Sequence, residues 1–224
     1  MSRVVQIGSQ AVAIWPEGQG FDTLEGVLHS TRFEDTDLYH PGLTRAILER
    51  EQEPSITRRY GRSAGGTKVY RFDRWGCPEA TLIHERALEF FRRALNRTSA
   101  VADNLWVNVV RKGEYCKPHS HHRTIASVVY FLDAGDVDIY DPDAGRFSIV
   151  DPRITRCCGL EAGHVTTPLY ADMTPGSIIL FPGSIVHAVN PYYGERPRIT
   201  LAWNINETAI EGTPFNPGEE PGQP

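Results

Sequence analysis

The sequence lacks any run of about 18 apolar residues, so no helical membrane span is expected. Its opening residues, MSRVVQIGSQ, lack the apolar stretch of a signal peptide. Cysteine is scarce, and Cys77, Cys116, Cys157 and Cys158 form no C-x-x-C pair. Adjacent Cys157 and Cys158 do not readily bridge, so neither a zinc knuckle nor a disulfide framework is expected. Reduced thiols and a cytoplasmic location are the default. Positive charge is not in surplus either: the net charge is −5. That argues against a protein built mainly to hold nucleic-acid phosphates. What is left is ordinary globular composition, 40% hydrophobic and 23% charged over 224 residues, enough for one sizeable core.

One patch departs from the acidic balance. Thr57 to Arg74 (TRRYGRSAGGTKVYRFDR) holds Arg58, Arg59, Arg62, Lys68, Arg71 and Arg74 against a single acid, Asp73. Its glycines suggest a mobile loop, which either closes over an acidic substrate or is simply solvated. Helical patterns lie on either side. The first, Leu43 to Glu53, follows His40-Pro41-Gly42 and stops at Pro54. The stronger runs from Glu79 to Asn96, with Pro78 setting its first turn. There Ile83, Ala87, Phe90, Phe91, Ala94 and Leu95 recur at three- and four-residue steps. Glu85, Arg86, Glu89, Arg92 and Arg93 lie mostly on other faces, so this helix is predicted to pack on a sheet.

After residue 100 the pattern becomes short and β-prone. LWVNVV, YCKPHSH, SVVYFL, VDIY, FSIV, HVTTPLY, SIILF, IVHAVN and RITLAWNI are separated by turn signals such as RKG, DAGD, TPG and PYYGERP. Such a series predicts a mainly β (α+β) fold, a jelly roll or barrel with supporting N-terminal helices. One domain over residues 1–211 is expected. The Pro-, Gly- and Glu-rich tail, 212–224, is expected to be disordered.

Histidine makes up only 8 of the 224 residues, yet three fall together in KPHSHHRTIASVVYFLD, at His119, His121 and His122. Strand alternation puts His119 and His121 on one face, about 6.6 Å apart, and His122 on the other. Two imidazoles so spaced can converge on one metal ion, but a third ligand must come from another strand. His187, which interrupts the apolar SIILFPGSIVHAVN, is the candidate; its bland reading is a hydrogen-bonded core histidine. PYYGERP suggests that IVHAVN and RITLAWNI form an antiparallel hairpin, with His187 opposite Thr200 and Arg198 on the same face. An arginine there calls for an anion, since its planar fork matches a carboxylate; the bland reading pairs it with Glu195. His29, His40, His84 and His164 have no such geometry and are expected at the surface or in caps.

The order H-x-H, then His187, then Arg198 resembles the 2-oxoglutarate/iron(II)-dependent oxygenases, in which H-x-D/E, a distal histidine and an arginine lie on a double-stranded β-helix. LWVNVVRKGEYCKPHSHHRTIASVVYFLD and PGSIILFPGSIVHAVNPYYGERPRITLAWN are similar to a narrower group of bacterial and phage oxygenases, over about residues 104 to 205. The resemblance implies a jelly-roll, cupin-like core in which His119, His121 and His187 hold Fe(II). It implies that Arg198 and Thr200 bind the distal carboxylate of 2-oxoglutarate and that Tyr130 hydrogen-bonds the cosubstrate. Asn108 and Asn204 would line the pocket, bordered by Tyr115 and Cys116. Where most of the superfamily has a carboxylate, this chain has His121; Asp133, Asp138 or Asp141 is the alternative second ligand. The implied reaction is hydroxylation of a small-molecule or peptide substrate with release of succinate and CO2. A homodimer is left open, and neither nucleic acid nor membrane is expected as a partner. The rival readings are a cupin-like three-histidine dioxygenase or isomerase without 2-oxoglutarate, and a metal-containing jelly-roll binding module.

Overall fold

The computed structural model describes residues 3–158 and 167–209. Most of the chain forms two antiparallel sheets that face one another. The larger runs in the order β3 (Asp22–Leu24), β4 (Leu28–Arg32), β12 (Ser177–Pro182), β9 (Ala126–Asp133), β14 (Arg198–Asn206), β7 (Val101–Val110), β6 (Thr67–Tyr70), β5 (Thr57–Arg59). The smaller runs β11 (Leu169–Tyr170), β10 (Phe147–Ile149), β13 (His187–Val189), β8 (Cys116–His119). A separate hairpin joins β1 (Val4–Ile7) to β2 (Gln10–Ala13). From β7 onward the chain crosses repeatedly from one sheet to the other, and this wraps the core as a double-stranded β-helix.

Two helices, α1 (His40–Arg50) and α2 (Pro78–Ala94), stand on the outer side, and α2 packs on β9, β12 and β14. Period-two alternation divides the buried residues into two layers. Val128, Tyr130 and Leu132 of β9 join Ile83, Ala87, Phe90 and Phe91 beneath the helices. Val129 and Phe131 point the other way, to Phe147, Ile149 and Phe181 between the sheets. Both faces of β9 are covered, which is why it reads as an unbroken apolar run.

Both predicted helices form, with α1 starting earlier, at His40, and α2 ending at Ala94. Arg86 departs from the expectation of an outward-facing charge. It is fully buried, donates to both carboxylate oxygens of Asp35 at 2.8 and 2.6 Å, and stacks over Phe33 and Tyr39. VDIY is not a strand: Val137, Ile139 and Tyr140 are exposed in the connection from β9 to β10.

The expected hairpin of IVHAVN with RITLAWNI does not form. β13 pairs with β8 and β10, whereas β14 pairs with β7 and β9. The Pro191–Pro197 connection therefore crosses between sheets, and His187 and Thr200 face each other across the interior.

The basic stretch is not a free loop either. It contains β5 and β6, and the residues between these strands are tied by backbone bonds to Tyr115 and Lys117, at the start of β8. Gly65 N–H donates to Tyr115 O (2.8 Å), Tyr115 N–H to Arg62 O (2.8 Å) and Lys117 N–H to Ser63 O (3.1 Å). Gly66, at φ +71°, permits this: a Cβ there would lie 2.9 Å from the Val109 carbonyl oxygen. The tail from residue 212 and His164 lie outside the described residues. Among the described residues no helix is long and apolar enough to cross a membrane, which says nothing of a β-barrel.

Candidate active site

Between the sheets is a cavity lined by His119, His121 and His187 on one side and by Arg198, Thr200, Asn108 and Asn204 on the other. On the smaller sheet His187 of β13 is the cross-strand partner of His119 of β8. His121 lies just past the end of β8, where its N–H donates to Gly183 O at 2.7 Å. One potential ligand atom from each of the three histidines lies within 4.8 Å of the others. His122 is exposed, on the far side of the turn.

The imidazoles are prepared as neutral donors. Burial is the main cause that pushes His121 and His187 down to about 3 and lowers His119 as well. The Nδ1 atoms of His187 and His119 face the backbone carbonyls of Ile185 (3.0 Å) and Lys117 (2.9 Å). A carbonyl only accepts, so each Nδ1 carries the proton and each Nε2 keeps a free lone pair, the orientation a metal-binding histidine needs. Phe147 and Phe181 wall the His187 ring, at centroid distances of 5.5 and 4.8 Å. This nitrogen donor set suits a divalent transition metal such as iron.

The acids proposed as alternative ligands are elsewhere. Asp133 accepts from Arg196 and Gly135, and Asp138 and Asp141 lie in the exposed β9–β10 connection. No Asp or Glu lines the cavity among the described residues.

Across the cavity, Arg198 opens β14 and is 1% exposed. Among the described residues no carboxylate pairs with it. Its Nε has no partner among the described residues, and an Nη atom lies 3.9 Å from Met173 Sδ. Glu195, the expected partner, pairs with Lys112 instead. Burial lowers Arg198 to about 10, so it remains a cation at neutral pH. Thr200 follows on the same face of β14. Its hydroxyl accepts from Asn108 Nδ2 at 3.3 Å, and Asn108 Oδ1 accepts from Trp106 Nε1 at 3.0 Å. Asn204 Oδ1 accepts from Ser127 Oγ at 3.3 Å. Cys116 lines the cavity as well.

Tyr130 is not in this group. The β9 alternation turns it to the helix side, where its hydroxyl meets Tyr39 at 3.0 Å and His40 Nε2 at 2.6 Å. Three histidines expected at the surface or in caps are packed instead. His29 is buried against Thr23, His40 supports Tyr130, and His84 Nδ1 accepts from Trp203 Nε1 at 3.2 Å. Sequence reasoning also passed over two lining residues, Trp106 and Lys68. The alternation Thr67-Lys68-Val69 in TKVY was the available signal, since it marks a strand rather than a loop.

Residues 104–204 match the family model described as "Putative 2OG-Fe(II) oxygenase". No curated protein sequence matches the chain. Among solved structures, the epimerase SnoN from nogalamycin biosynthesis, in complex with Fe3+, alpha ketoglutarate and nogalamycin RO, is 14% identical. That match covers 88% of this chain and 86% of SnoN, with a TM-score of 0.59. A Pseudomonas putida prolyl-4-hydroxylase is 17% identical, covering 83% of this chain and 92% of its own, at a TM-score of 0.54. The Trichoplax adhaerens prolyl hydroxylase, in complex with a hypoxia inducible factor peptide fragment, is 14% identical. It covers 80% of this chain and 84% of its own, at a TM-score of 0.56. At these identities the likeness is one of fold. Over its β-helix core, residues 104–204, the chain is thus similar to the 2-oxoglutarate/iron(II)-dependent oxygenases, and its overall fold is the one these solved structures share.

Proposed function

We propose that the protein couples oxidative decarboxylation of 2-oxoglutarate, to succinate and CO2, with hydroxylation of a small-molecule or peptide substrate. The observation that carries this reading is Arg198, a buried cation without a carboxylate partner among the described residues, placed across the cavity from three neutral imidazoles. A dicarboxylate suits that arrangement. One end answers the arginine fork while the other reaches toward the histidines.

In this reading His119, His121 and His187 hold the iron, which when bound supplies dioxygen activation and oxidising power. Arg198 receives the distal carboxylate of 2-oxoglutarate, and the Thr200 hydroxyl donates a second hydrogen bond to it. Asn108 fixes Thr200 and is itself oriented by Trp106. Asn204 lines the same face of β14. The apolar walls from Phe147 and Val129 keep bulk water from the reacting atoms. Where a carboxylate is usual, His121 adds no negative charge, so a bound ferrous ion keeps its full dication charge.

The test is anaerobic addition of Fe(II) and 2-oxoglutarate to the full chain. A visible metal-to-ligand charge-transfer band is expected, with succinate formed once oxygen is admitted. Absence of both the band and succinate would overturn the reading. Product analysis then decides whether the outcome is hydroxylation, because SnoN shares the fold and is an epimerase.

A further inference from the structure

The cavity holds a second cation that this function leaves unused. Lys68, on β6, lines it together with Arg198 and the three histidines, and among the described residues no carboxylate does so. Among the described residues no acidic side chain pairs with Lys68. Its Nζ lies between two aromatic rings, 5.0 Å from the Trp106 centroid and 5.2 Å from that of Tyr60. The rings are themselves fixed: the Tyr60 hydroxyl meets that of Tyr70 at 2.7 Å, and the Trp106 indole donates to Asn108. Burial disfavours the charged ammonium, and ring faces offset that only in part.

We propose that Lys68 anchors an anionic group of the primary substrate, a carboxylate or phosphate, so that the enzyme acts on a small acid seated beside the three histidines. This rests on the reading of the site as a 2-oxoglutarate oxygenase.

Placement assigns the two cations to different ligands. Lys68, Asn108 and Thr200 are successive cross-strand partners over β6, β7 and β14, so they share one row on one face. Neighbouring strands are about 4.8 Å apart, which puts the Lys68 backbone about 10 Å from that of Thr200. From this row, Arg198 pairs with Val110 on one side, and Trp106 lies on the other. The ammonium lies over Trp106, and Trp106 stacks on His121 with centroids 5.9 Å apart, which sets Lys68 beside the histidines. 2-Oxoglutarate brings two carboxylates, one for the metal and one for Arg198. Neither accounts for Lys68. The connection between β5 and β6, pinned to β8, holds Tyr60 and Lys68 in place as a fixed wall of the site.

The experiment compares the full wild-type chain with Lys68→Met and Lys68→Arg. Titration of the anaerobic Fe(II) protein with 2-oxoglutarate, followed by the charge-transfer band, comes first. Carboxylic acids and phosphate monoesters of graded size are then added, each paired with its uncharged amide or alcohol. Thermal-midpoint shifts and band perturbation report binding. In wild type at least one acid should bind about tenfold or more tightly than its neutral partner, the scale of a hydrogen bond to a charged group. Lys68→Met should lose that preference and Lys68→Arg keep it, with 2-oxoglutarate affinity unchanged in both. The series that shows the preference tells carboxylate from phosphate. Loss of 2-oxoglutarate affinity in Lys68→Met would make Lys68 a cosubstrate anchor. A preference that survives Lys68→Met, or that no acid shows in wild type, would make it a structural cation. Either result overturns the proposal. Failure of wild type to bind 2-oxoglutarate appears before any acid is added, and it counts against the functional reading instead.

Discussion

His187 of β13 lies directly opposite His119 of β8, and their ring centroids are 4.3 Å apart. Strand pairing, not a flexible loop, therefore sets this distance. His187→Ala is expected to lower iron(II) affinity by more than the 10- to 100-fold (roughly) that losing a supporting residue costs, because it removes a direct donor. His122→Ala, on the exposed side of the same turn, should leave affinity unchanged. Competitive chelator titration measures both. Equal losses in the two variants would count against the three-histidine assignment.

Arg198→Ala should weaken 2-oxoglutarate binding by about 100-fold, the cost of losing a buried bidentate anchor at roughly 3 kcal/mol. Iron affinity should not change, since the arginine is across the cavity from the histidines. Arg198→Lys should recover only part of the loss, because an ammonium cannot reproduce the fork. Titration of the charge-transfer band reads these effects, and unchanged affinity in Arg198→Ala would sink the anchor role.

Much of this site was legible in the sequence, for identifiable reasons. H-x-H followed by a distal histidine and arginine is a linear signature; His122 does point away from His119 and His121, although it is a turn after β8, not strand alternation, that separates them. What failed depended on pairing between distant segments. The short, turn-like PYYGERP suggested a hairpin, but strands of a double-stranded β-helix alternate between sheets, so His187 meets His119 rather than Thr200. Tyr130 was misplaced by a single residue of parity: β9 is buried on both faces, and the VVYFL run does not say which set of alternate residues faces the cavity. Lys68 was hidden by the glycine-rich run before it, which resembles a free loop until β8 is there to pair with it.

The position of Tyr130 gives a prediction of its own. Tyr130→Phe removes a hydroxyl shared with Tyr39 and His40 and should cost about 1–3 kcal/mol of stability through the unsatisfied partners. It should not alter 2-oxoglutarate affinity. Denaturant titration beside cosubstrate titration separates the two effects. A large loss of affinity at unchanged stability would return Tyr130 to the site.

Arg86 is the neighbouring case in that layer, bonded to Asp35 and to the hydroxyl of Tyr39. Arg86→Met leaves a carboxylate and a backbone carbonyl without their donor. It is expected to cost about 3–5 kcal/mol, the range for breaking a buried ion pair from one side. Denaturant unfolding checks this. A loss under about 1 kcal/mol would mean that solvent reaches Asp35 and compensates.

His40 makes the same layer sensitive to acid. Burial is the main cause that pushes it down to about 4, against the opposing pull of Asp133, Asp37 and Asp35. In the unfolded chain the ring takes up a proton near 6.5, the value of an unperturbed histidine. Between those two values the unfolded state binds more protons than the folded one, so stability falls as pH drops from 6.5 toward 4 and is independent of His40 above that window. The slope is at most about 1.4 kcal/mol per pH unit, and lower to the extent that water reaches the ring. His40→Gln preserves a partner for the Tyr130 hydroxyl but does not titrate. Unfolding free energies of both proteins at several pH values across the window should therefore diverge, wild type losing more stability toward acid. Parallel profiles would show that the folded protein protonates His40 as readily as the unfolded chain does.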